Sequence, residues 1–85
     1  MASTGFSSLA IDARTLDARG LKCPLPVLKM EKQLPNLPSG ATLIVLATDP
    51  MAKIDIPLFC RQNGYACAID IDAEGVMAFS IRKSN

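Results

Sequence analysis

Histidine and tryptophan are both missing from these 85 residues. Without an imidazole, the Ser/His/Asp and Cys/His nucleophile schemes are excluded. A zinc site would have to join thiolates to carboxylates, and there is no Cys-x-x-Cys pair to begin one. No motif calls for a metal or an organic cofactor. A surplus of one charge is also lacking: nine basic residues face eight acidic ones, for a net +1. That is not the footprint of an electrostatically driven nucleic-acid binder, and only four aromatics (Phe6, Phe59, Tyr65 and Phe79) are available for base stacking. The longest apolar run, Leu43 to Ala47, falls far short of the roughly 20 residues that cross a bilayer. The start, Met1 to Ala13, lacks the sustained apolar core of a secretory signal. Three cysteines, separated by 37 and 7 positions, are an odd count at spacings unlike a secreted disulfide framework. A small soluble cytoplasmic protein is expected, with no direct contact to nucleic acid or membrane.

What is present suffices for one domain. Apolar residues make up 49% of the chain, and a domain this small must use most of them to fold alone. Residues 1 to 13 read as a loosely ordered leader, small and polar around Phe6, Leu9 and Ile11. Residues 14 to 85 read as the domain. Leu16 and Ala18 alternate with Asp17 and Arg19 as a short strand closed by Gly20. Val27, Met30 and Leu34 fall at helical spacing, which predicts a helix from about Pro24 to Leu34, stopped by Pro35. Thr42 to Ala47 reads as a central strand ended by Asp49-Pro50. If Asp55 caps a second helix, Pro57 falls in its first turn, and the helix runs from about Ile56 to Asn63 with Gly64 as left-handed terminator. Tyr65, Cys67, Ile69 and Ile71 then alternate with polar or small residues. A turn at Ala73-Glu74-Gly75 leads to Met77, Phe79 and Ile81 as the partner strand of a hairpin. The order βαβαββ predicts an α/β two-layer sandwich, a four-stranded mixed sheet with both helices on one face.

The chemistry concentrates at Lys22-Cys23-Pro24-Leu25-Pro26. A residue before proline is pushed out of the α region, as an N-cap is, so Cys23 is expected to cap the helix with Pro24 in its first position. Pro26 stiffens the same turn. Free N–H groups at the helix start, and the charge of Lys22, would favour thiolate over thiol. Cys23 is therefore expected to be an exposed, reactive thiolate supported by Lys22, Pro24 and Pro26. The bland alternative is a small buried hydrophobe opening a helix. Cys60, beside Phe59, and Cys67, on a strand face with Ile69 and Ile71, read as buried and inert. Asp49 ends the central strand, where α/β sheets usually present functional groups, although a turn former would look the same. Residues 12 to 32 carry a basic surplus around Cys23, and residues 49 to 74 an acidic one. Arg19, Lys22 and Lys29 could steer a partner, or merely solvate a helix face.

Leu16-Asp17-Ala18-Arg19-Gly20-Leu21-Lys22-Cys23-Pro24-Leu25-Pro26 resembles the Cys-Pro-x-Pro block of the TusA family, also called SirA-like sulfurtransferases. Thr48-Asp49-Pro50 and Asp55-Ile56-Pro57-Leu58-Phe59-Cys60 resemble its second block, and the likeness extends from Leu16 to about Lys83. The resemblance implies the same βαβαββ sandwich and a single essential cysteine, here Cys23, that carries sulfur as a persulfide. It implies a cysteine desulfurase or rhodanese-type donor and a downstream acceptor, for example in 2-thiolation of tRNA uridine, met by a monomer in transient complexes. Some members carry a histidine after the second helix, where this chain has Tyr65 following Gly64. Selenium-related and transporter-associated branches share the pattern. Two readings from other classes remain beside it: a regulatory or binding module in which Cys23 is structural, and an RNA-binding domain of similar architecture.

Overall fold

The computed structural model describes residues 13–83. The expected leader lies outside the described residues except for Ala13, which opens the first strand. The elements run β1 (Ala13–Ala18), α1 (Leu25–Gln33) with a 3-10 turn at Leu34–Asn36, β2 (Thr42–Ala47), α2 (Ala52–Asn63), β3 (Ala66–Ile71) and β4 (Met77–Arg82). The sheet order is β1-β2-β4-β3. β1 pairs parallel to β2, and β4 pairs antiparallel to both β2 and β3. This is the expected mixed four-stranded α/β sandwich.

Register explains why one face is buried. Leu16, Val45 and Phe79 stand opposite one another, as do Ala18, Ala47 and Met77, and Leu43 meets Ile81. All eight point to the same side, and all are buried. Met30 and Leu34 from the α1 side and Ala52, Ile56 and Cys60 from α2 close over them as one core. The i, i+4, i+8 spacing of the α2 residues puts them on a single stripe of that helix.

Two local expectations are corrected. Helix α2 starts at Ala52, four residues before Ile56. Met51 is its N-cap and no side chain caps it; Asp49 closes the turn before it, where its Oδ1 accepts the Met51 N–H at 3.1 Å and its carbonyl accepts the Ala52 N–H at 2.9 Å. Pro57 consequently sits inside the helix, where it removes one ladder hydrogen bond. Gly64 does terminate the helix, at φ 75°. The second correction concerns Cys67, which is exposed. It shares a rung with buried Ile81, yet β3 is one of the two edge strands and is exposed along its whole length. Alternation tells which way a side chain points but not whether a helix lies above it. Cys60 is buried, as expected.

Candidate functional site

Strand β1 and helix α1 are joined by a tight corner. Gly20 adopts φ 79°, a left-handed conformation costly for other residues, and its N–H is held by Thr48 Oγ1 at 2.9 Å. The Leu25 N–H then bonds the Lys22 carbonyl at 2.8 Å, and the Leu28 N–H bonds the Pro24 carbonyl at 3.1 Å. Pro24, not Cys23, is the N-cap of α1, and the Cys23–Pro24 peptide is cis. Pro26 is buried in the first turn. The expected capping role of Cys23 is therefore displaced by one residue. Proline, with no N–H to leave unpaired, fills the boundary position, and Cys23 stands just outside the helix.

Two carboxylates fix Cys23. Its backbone N–H donates to Asp49 Oδ2 at 2.7 Å. Its Sγ–H donates to Asp55 Oδ2, from the first turn of α2. The side chain is exposed and opens on a groove between the helices lined by Pro24, Val27, Glu31, Asp55, Leu58 and Phe59. The Asp55 hydrogen bond, then partial desolvation, then the charges of Asp55 and Asp49 push the Cys23 thiol above its ordinary value. That direction is opposite to the one expected from a helix start and Lys22. Acidic neighbours in contact outweigh a helix start whose boundary has moved one residue away.

The other expected residues divide into two groups. Asp49 belongs to the site: the backbone N–H groups of Cys23 and Met51, then the charge of Lys22, hold its carboxyl below the usual range. Lys22 thus acts toward Asp49. Arg19 is tied to Asp17 through Nε at 2.8 Å and Nη2 at 2.9 Å. These side-chain bonds lead in holding Asp17 down at about 2. Lys29 lines a recess on the flank of α1 with Leu25, Leu28 and Lys32, away from Sγ. Phe59 flanks the groove and stacks at a tilt on Tyr65, with centroids 6.1 Å apart, whereas Met30 is wholly core. Asp55 is the site residue that sequence reasoning misassigned to a cap. Its signal was an acidic residue two positions before Pro57 and three before apolar Leu58. Burial pushes the Cys60 thiol up to about 12, with Cys67 beside it adding to the effect. Among the described residues, no three His, Cys, Asp or Glu side chains gather to hold a metal ion, and no helix is long and apolar enough to cross a membrane.

Fold and site together define a small open-sheet α/β protein that presents a thiol in the groove between its helices. Residues 14–83 match the family Sulfurtransferase TusA. The chain is 40% identical over 83 residues to the sulfur carrier protein TusA of Pseudomonas syringae pv. syringae, covering 98% of both chains. It is 40% identical over 72 residues to a putative sulfur carrier protein of Neisseria meningitidis serogroup A, covering 85% of this chain and 97% of that one. The crystal structure of a SirA-like protein from Desulfitobacterium hafniense superposes with a TM-score of 0.77 at 26% identity, over 85% of this chain and 99% of that one. The chain belongs to the TusA family of sulfur carrier proteins.

Proposed function

We propose that this protein accepts sulfur on Cys23 as a persulfide and relays it through transient complexes in the cytoplasm. The donor is a cysteine desulfurase or a rhodanese-type protein, and the acceptor is a second sulfur-transfer protein such as one serving tRNA 2-thiouridine synthesis. One observation carries the reading: the Cys23 sulfur is exposed in an open groove while its backbone is pinned by Asp49. A sulfur that must meet two partners in turn has to be reachable and held in one place.

In the transfer step the Cys23 sulfur attacks the outer sulfur of the donor persulfide, and the donor departs as a thiol. Pro24 and Pro26 hold the turn, and Asp49 fixes the loop behind the sulfur, with the charge of Lys22 acting on Asp49. Val27, Leu58 and Phe59 offer apolar contact to a docking partner. Arg19 and Lys29 contribute only at the periphery, since Asp17 already neutralises the one and the other lies on the flank of α1.

Intact mass spectrometry tests the proposal after incubation with a cysteine desulfurase, cysteine and pyridoxal phosphate. The expected result is a gain of one sulfur, about 32 Da, removed by reductant and absent in Cys23→Ser. Equal gains in both proteins would refute it.

A further inference from the structure

We propose that Asp55 is the proton acceptor for Cys23, a catalytic base that takes the Sγ–H proton as the sulfur forms its new bond. This rests on the carrier reading above and assigns a role to a residue outside the cysteine block. The geometry is direct. Asp55 Oδ2 accepts the hydrogen bond of the reacting sulfur, and among the described residues its carboxylate has no cation paired to it and no second hydrogen bond. It is half-buried, on the wall of the groove that Cys23 opens into. The charged groups around the sulfur are Lys22 on its own loop, Glu31 from α1, Asp49 from the β2–α2 turn and Asp55 from α2. Asp49 is occupied by two backbone N–H groups, and Lys22 cannot accept a proton while charged. Among these groups, all of described residues, Asp55 alone is hydrogen-bonded to the sulfur.

The step balances without an oxidant. The Cys23 proton moves to Asp55 Oδ2 as Sγ bonds to the outer sulfur of the donor persulfide. The donor S–S bond breaks, and its electron pair leaves with the inner sulfur. That thiolate then takes the proton from Asp55, directly or through water, which restores the carboxylate. A persulfide and a thiol are consumed, and a thiol and a persulfide are formed. A positioned base of this kind is worth roughly 10²–10⁴-fold.

The test follows sulfur uptake from cysteine persulfide by intact mass, from about pH 5 to about pH 9, in wild type, Asp55→Asn and Asp55→Glu. Iodoacetamide alkylation of the same sulfur is run in parallel to report thiol ionisation and an intact site. Asp55→Asn is expected to take up sulfur at least about tenfold more slowly at pH 7, although its alkylation profile moves to lower pH because the thiol has lost a charged partner. Slower transfer from a more ionised sulfur is a result that a merely structural role does not produce. The ratio of wild-type to Asp55→Asn rates, in which the donor's own ionisation cancels, should shrink toward alkaline pH. Asp55→Glu should recover part of the rate. Uptake in Asp55→Asn that equals or exceeds wild type would overturn the base assignment while leaving the carrier reading intact. Wild type that alkylates normally but takes up no sulfur at any pH would overturn the carrier reading and the Asp55 role with it.

Discussion

The thiol of Cys23 donates its hydrogen bond to the carboxylate of Asp55, 32 positions later in the chain. The contact crosses from the start of one helix to the first turn of the other. It leaves Cys23 an exposed sulfur whose thiol form is favoured by the acidic groups beside it. Three expected outcomes follow from the same arrangement.

Thiol reactivity should rank by exposure first. In the folded protein at neutral pH, iodoacetamide is expected to label Cys23 and Cys67, both exposed, and to spare buried Cys60. The half-maximal rate at Cys23 should fall above the ordinary thiol range of about 8.5. Peptide mapping of the alkylated protein checks the ranking. Labelling of Cys60 before unfolding would contradict the packing of α2 on the sheet.

Acid should loosen the loop behind the sulfur. Asp49 has its carboxyl lowered in the folded state by the Cys23 and Met51 N–H groups. Its contribution is therefore present above the unfolded carboxylate value, near pH 3.9, and is lost as pH falls through the lower folded value. Urea midpoints measured from neutral pH down to about pH 2.5 should decline for wild type over that window. Asp49→Asn should begin lower and decline less. Asp17 is lowered too, but it is an exposed partner of Arg19, and such pairs contribute little net stability.

The two remaining cysteines should differ in their tolerance of a hydroxyl. Cys60 is 1% exposed within the core, so Cys60→Ser leaves a buried polar group and should cost about 1–3 kcal/mol. Cys67 lies on the exposed edge strand, so Cys67→Ser should stay within about 0.5 kcal/mol. Urea unfolding of each single variant makes the comparison. Equal costs would mean that β3 is covered.

Much of this architecture could be read from residue order because Met77, Phe79 and Ile81 alternate with Ala78, Ser80 and Arg82, which leaves one face to bury, and the continuous apolar run from Leu43 to Ala47 suits a central strand. The cysteine block was legible for a similar reason: prolines restrict backbone angles whatever surrounds them. Three features were not legible. The start of α2 was misplaced because Asp55 is a good capping type, whereas the helix begins after Met51 with no side-chain cap to mark it. Exposure of Cys67 was missed because edge position is a property of the sheet order. The carboxylate partner of the Cys23 sulfur was missed because Asp55 arrives through folding and not through sequence proximity.

The most direct measurement of the carrier role locates the sulfur. Wild-type protein loaded by a cysteine desulfurase is trapped with an alkylating reagent, digested and mapped by mass spectrometry. The added sulfur is predicted on the peptide containing Cys23, with Cys60 and Cys67 unmodified. Sulfur found on Cys60 or Cys67, with Cys23 bare, would contradict the account.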